Sequence, residues 1–161
     1  MLELNETVFY GTTGVCVVDC IENKKIGKLT KDYYVLKPVS QSSSTVYIPT
    51  DNETLLSKVR SIISSDEVKS LIEKTEKDDI WVEDEAERKE IFGRIVSSGD
   101  CSSKLKMMRS IYSKQQELNS KSKRLHLSDE RFFKEVLRIV CDEFSYVLNI
   151  TVKEVEALIY K

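Results

Sequence analysis

Thr7-Val8-Phe9-Tyr10, Val15-Cys16-Val17-Val18-Asp19-Cys20-Ile21, Tyr33-Tyr34-Val35-Leu36, Thr45-Val46-Tyr47-Ile48 and Val59-Arg60-Ser61-Ile62-Ile63 are short runs rich in β-branched and aromatic residues. Between them lie turn-forming pieces at residues 11–14, 23–31, 38–44 and 49–53, the second strongly polar. Runs of this length at this spacing predict a small antiparallel meander over residues 7–63. Five such strands close most economically into a barrel of SH3 or Tudor type, because an open sheet leaves two edges to aggregate.

Working outward, the period changes after residue 64. Ser64 and Glu67 have the spacing of a capping box, in which each side chain satisfies a backbone donor at a helix start, so a helix is expected from about residue 66 to residue 76. Ile91, Phe92, Ile95 and Val96 form one apolar stripe that Gly99-Asp100 ends, Asp100 capping the next helix. Leu105, Met108, Ile111, Tyr112, Gln115 and Leu118 continue at three-to-four spacing. Phe133, Val136, Leu137, Val140, Phe144, Val147 and Leu148 do the same after a cap-like Ser128. Thr151 and Glu154 make a second capping box. The fold class is therefore α+β: a five-stranded Tudor/SH3-like barrel over residues 1–63, then a bundle of about four or five helices over residues 64–161.

Composition agrees with long regular elements. Glycine and proline together number only seven among 161 residues, 40% of residues are hydrophobic and 32% charged. No apolar run approaches the roughly 18 residues needed to span a bilayer, and the first eight residues lack the basic and apolar regions of a signal peptide. Four cysteines in a chain with this much apolar content need no disulfide framework, so a soluble protein of the reducing cytoplasm is expected. Cys16 and Cys20, four apart in a strand, stand about 13 Å from each other, too far to share a zinc ion, and read as core thiols. The sole histidine, His126, has no triad partner in sequence, and neither Gly27-Lys28 nor Gly11-Thr12-Thr13-Gly14 has the form of a phosphate loop. Catalysis, cofactor and metal are not expected.

Charge is informative only segment by segment. The formal net charge is −2, yet residues 76–100 sum to −5 and residues 101–124 to +6, the latter from Lys104, Lys106, Arg109, Lys114, Lys121, Lys123 and Arg124 against Glu117 alone. Such a cluster reads either as a solvated face or as a set of phosphate contacts, sequence-independent and salt-sensitive. The only tryptophan, Trp81, lies in the polar stretch Asp78-Asp79-Ile80-Trp81-Val82-Glu83-Asp84-Glu85, where apolar packing partners are not evident. It reads either as an inter-helix core residue or as an apolar wedge beside unstacked bases.

These runs, in this order, carry a resemblance. Val8-Phe9-Tyr10-Gly11, Gly14-Val15, Ile21-Glu22, Tyr33-Tyr34-Val35-Leu36 and Thr45-Val46-Tyr47-Ile48-Pro49 resemble the RNA-polymerase-interacting domain of the CarD/CdnL family of bacterial transcription regulators, a domain that also occurs in the transcription-repair coupling factor. Trp81, Arg88-Lys89-Glu90-Ile91-Phe92, Ser98-Gly99-Asp100 and the segment from Lys123-Arg124-Leu125-His126-Leu127 through Ser128-Asp129-Glu130-Arg131-Phe132 resemble that family's helical domain. The resemblance implies docking of a barrel strand on the RNA polymerase β subunit by strand addition. It also implies contact of the helical domain with promoter DNA at the upstream edge of the melted bubble, stabilising the open complex. Carried onto this chain, Thr45, Val46, Tyr47, Ile48 and Pro49 would form the docking strand, with Lys24 beside it on a neighbouring strand. Trp81 would be the minor-groove wedge, and Arg88, Lys89, Lys104, Lys106, Arg109, Lys121, Lys123 and Arg124 the phosphate contacts. The implied partners are the polymerase β subunit and promoter DNA, with no membrane and no small-molecule substrate. The alternative is an adaptor whose basic segment binds an acidic protein.

Overall fold

Alternation between core and surface builds the first half. A computed structural model describes residues 1–75 and 78–161. Contacts divide the chain into two units, Met1–Ile62 and Ile63–Lys161. In the first, β1 (Thr7–Tyr10), β2 (Gly14–Ile26), β3 (Leu29–Pro38), β4 (Val46–Pro49) and β5 (Val59–Ser61) form one antiparallel sheet in the order β4-β3-β2-β1-β5, with a short helix α1 (Glu53–Leu56) before β5. Val8, Cys16, Val18, Tyr34, Leu36 and Ile48 share the inward face and make its core. All pairings are antiparallel, as the meander requires, and β4 and β5 are the terminal strands of the ladder.

The expected turn over residues 23–31 is mostly strand. β2 and β3 pair continuously out to Ile26↔Leu29, turning only at Gly27 and Lys28. Gly27 takes φ 66° at the first central position of this two-residue turn, a conformation glycine adopts without steric cost. The ribbon is solvated on both faces near its tip, so its residues lack the alternation by which a half-buried strand is recognised. Cys20 also departs from the core expectation. A register shift between Val18 and Cys20 interrupts the ladder, and the Cys20 thiol is half-exposed while Cys16 is fully buried.

The second unit holds α2 (Ser65–Lys74), α3 (Glu85–Ser97), α4 (Cys101–Ser120), α5 (Leu127–Leu148) and α6 (Val152–Ile159). Both capping boxes form, Ser64 with Glu67 and Thr151 with Glu154, and Asp84 and Asp100 cap α3 and α4. The expected end of α2 at residue 76 lies outside the described residues. Ser128 is not the cap of α5. The helix starts two residues earlier than that cap requires, after His126, whose side chain makes no cap bond, and its first turn carries Asp129 and Glu130 at the positive end of the helix dipole. Asn149 ends α5 with φ 54°, the left-handed position that asparagine can take in place of glycine. Phe92, Leu105, Met108, Ile111, Val136, Val140, Phe144 and Val155 form the buried interior, so the apolar stripes are core.

Candidate interaction surfaces

Strand β4 bonds to β3 on one side only, and its residues alternate as a surface strand must. Ile48 is fully buried opposite Tyr34, whereas Tyr47 is 38% exposed and Val46 and Pro49 are half-buried. Thr45 lies exposed just before the strand. Ile48 can therefore offer a partner only its backbone. Tyr47 sits edge-on to Tyr33 at 6.3 Å, and the Lys24 ammonium lies 3.7 Å from the centre of the Tyr47 ring. That contact gathers Lys24, on β2, and Tyr47, on β4, into one aromatic and cationic patch beside the terminal strand.

The basic candidates of the helical unit separate into two groups. Several are committed internally. Arg88 is 4% exposed and grips Asp129 bidentately, Nε to Oδ1 at 2.9 Å and Nη2 to Oδ2 at 2.8 Å, while its Nη1 donates to the carbonyls of Val82 and Glu83. The hydrogen bonds it donates to Asp129 hold the guanidinium pKa above its ordinary value. Lys104 is 2% exposed, inside the bundle. Arg109 donates to the carbonyls of Ile159, Thr75 and Ile72. Lys106 pairs with Asp78 at 3.1 Å, and Lys114, a base of the same run, with Glu83 at 3.2 Å and Glu117 at 3.6 Å. Burial works against the Lys114 ammonium, but its hydrogen bond to Glu83 and the charge of Glu117 still raise its pKa. Two ion pairs, Lys106–Asp78 and Lys114–Glu83, thus join the acidic and basic segments, and Arg88, Lys104 and Arg109, expected as phosphate contacts, are engaged within the helical unit instead. Arg88 and Lys104 are buried, and Arg88 commits four and Arg109 three of its five N–H donors to the protein itself, which takes all three out of ready reach of a phosphate.

Lys89 stays exposed and pairs with Glu85, lowering that carboxyl's pKa. Lys121 is exposed and reaches Glu117 at 3.1 Å. Lys123 and Arg124 are exposed and have no ion-pair partner among the described residues. The helix that follows adds cations absent from the sequence reading. Arg131, Lys134 and Arg138 recur at three-to-four spacing on the exposed side of α5, in line with the exposed Leu127. That spacing was available in the sequence, but the intervening Glu130 and Glu135 hide it in any count of net charge.

Trp81 is neither bare nor fully buried. Its ring packs edge-on to Phe92 at 6.2 Å, the Arg88 guanidinium lies 4.3 Å from the ring centre and the Lys114 ammonium 5.4 Å. The partners are mainly cations, which is why apolar periodicity gave no sign of them. The backbone around it is pinned: Ile80 donates to Ser110 Oγ at 2.9 Å and Trp81 to Asp79 Oδ1 at 2.9 Å.

Among the described residues no group of three or more His, Cys, Asp or Glu is placed to hold a metal ion, and no helix is long and apolar enough to cross a membrane. Compared with known families, residues 2–60 match the model of the CarD-like/TRCF RID domain. No curated protein matches the chain.

Proposed function

We propose that this chain, whose first unit is a CarD-like/TRCF RID domain, is a transcription regulator that docks on RNA polymerase and steadies promoter DNA in the open complex. The observation that carries the reading is the match over residues 2–60, together with a terminal strand able to accept another strand. In this reading the sheet curls into a Tudor-like barrel. Val46, Tyr47, Ile48 and Pro49 add to a strand of the polymerase β subunit, with backbone bonds giving affinity and the Tyr47–Lys24 patch giving selectivity. Lys89, Lys121, Lys123 and Arg124, joined by Arg131 and Lys134, hold phosphates at the upstream edge of the bubble. Trp81 lies beside the unpaired bases. Its acidic neighbours oppose this less than the sequence implies, since Glu83 pairs with Lys114 and Glu85 with Lys89.

One observation favours a second reading. With Arg88, Lys104 and Arg109 committed internally, the remaining cations would equally suit an acidic protein surface, which is the adaptor alternative. Co-purification with RNA polymerase, followed by the lifetime of open complexes on a promoter challenged with competitor, separates the two. A longer lifetime with the protein than without it supports the regulator. Polymerase capture with no change in lifetime and no retention of forked duplex DNA leaves the adaptor. No capture of polymerase rejects both the docking strand and the regulator.

A further inference from the structure

We propose that Arg88 is a positioning residue: with Asp129 it forms a rigid shelf that fixes the Trp81 ring in one orientation before any DNA arrives. The proposal rests on Trp81 touching DNA in the reading above, and it reassigns Arg88 from phosphate contact to support.

A partly exposed indole on a non-helical segment would ordinarily sample several rotamers, and a wedge that must be ordered on binding loses affinity to that ordering. Here the ordering is built in. Arg88 touches both the ring and the backbone next to it. Its guanidinium faces the indole at 4.3 Å, and its Nη1 holds the carbonyls of Val82 and Glu83 at 2.8 and 3.2 Å, the two residues after Trp81. Its remaining edge is fixed by Asp129, whose side chain is 1% exposed in the first turn of α5, where the helix dipole favours a carboxylate. The shelf therefore ties α3, the Trp81 segment and α5 together. A lysine would not serve, because a single ammonium cannot hold a carboxylate bidentately and two carbonyls while also contacting a ring. A phosphate role is disfavoured by this one: four of the five N–H donors are committed and the side chain is buried.

Because Trp81 is the only tryptophan, its fluorescence reports the shelf directly in the intact protein. A buried ion pair can be exchanged for apolar side chains of similar size with little loss of stability, so Arg88→Met combined with Asp129→Leu removes the shelf while sparing the fold. We expect that double variant, which also frees the carbonyls of Val82 and Glu83, to stay cooperatively folded with its melting temperature lowered by no more than about 10 °C, to shift Trp81 emission to the red with lower anisotropy and stronger acrylamide quenching, and to bind forked promoter duplex about tenfold more weakly. Arg88→Lys serves as a second variant should the double one fail to fold, and it should show the same loosening. A folded double variant with native quenching and anisotropy overturns the proposal, as does full rescue of both by Arg88→Lys, which would reduce Arg88 to a simple charge. The fluorescence arm needs no DNA. If Trp81→Ala leaves forked-duplex binding unchanged, it is the DNA role of Trp81 that fails, and the two failures are told apart.

Discussion

Arg109 shows how one side chain can take over a task usually spread across several caps. The last carbonyls of a helix have no intrahelical donor, and here those of Ile72 and Thr75 at the end of α2 and of Ile159 at the end of α6 all accept from one guanidinium. Arg109→Ala should therefore destabilise the protein by about 2–3 kcal/mol, with Arg109→Lys restoring little of it, because one ammonium cannot reach three carbonyls on two helices. Urea unfolding of the two variants checks this, and a cost below about 0.5 kcal/mol would return Arg109 to the surface cations. The thiols divide on the same principle. Burial pushes the Cys141 pKa up to about 12, and Cys16 is fully buried, whereas Cys20 and Cys101 are half-exposed. In the native protein a thiol reagent at neutral pH should label Cys20 and Cys101 first, and Cys16 and Cys141 only on unfolding. Rapid labelling of Cys141 in folded protein would show that α5 and α6 separate readily.

Elements whose start is written in side chains stand where the sequence placed them, and those capping groups titrate. The backbone N–H and side chain of Ser64 lower the Glu67 pKa, and those of Thr151 lower that of Glu154, each from an ordinary value of 4.5. A carboxyl with a lowered folded pKa contributes its stabilisation fully above the ordinary value and loses it as pH falls through the folded one. Unfolding free energy measured from pH 6 downward should therefore drop below about pH 4.5, and Glu67→Gln with Glu154→Gln should flatten that fall. An acid limb unchanged in the double variant would assign it to other carboxyls. The same elements show what was readable. β1 was legible to the residue because Val8 and Phe9 are buried in a short β-branched run, and α2 because Ser64 and Glu67 name its start. The distal part of β2 and β3 was not, since lysines exposed on both faces look like a turn whichever way they pair. The start of α5 was misplaced because Ser128 has the right chemistry for a cap but lies inside the helix, with its buried hydroxyl unpartnered among the described residues.

For the molecule as a whole, the charge segregation that first suggested nucleic acid is partly spent inside the fold. Sequence reading sums charges along the chain, whereas binding depends on cations left over after folding, and pairs such as Lys106–Asp78 and Lys114–Glu83 join residues about thirty apart in sequence. The Arg88 and Lys114 cations beside Trp81 are invisible in the sequence, because cation stacking has no periodic signature. The surviving cations set a quantitative expectation. Replacing Lys121, Lys123 and Arg124 with Ala in the full chain should lower DNA affinity about equally for unrelated sequences. The slope of log affinity against log salt should become shallower by roughly two to three units, close to one per lost phosphate contact. Lys121 should contribute less than a full unit, because it must first leave Glu117. In the same assays Tyr47→Ala, on the exposed side of β4, should weaken polymerase capture and leave that slope unchanged. Melting temperatures of both variants should stay near that of the parent, since none of the four side chains is buried. A triple variant with an unaltered slope would make the basic loop a solvated surface and move the DNA contact to the Arg131–Lys134 face of α5.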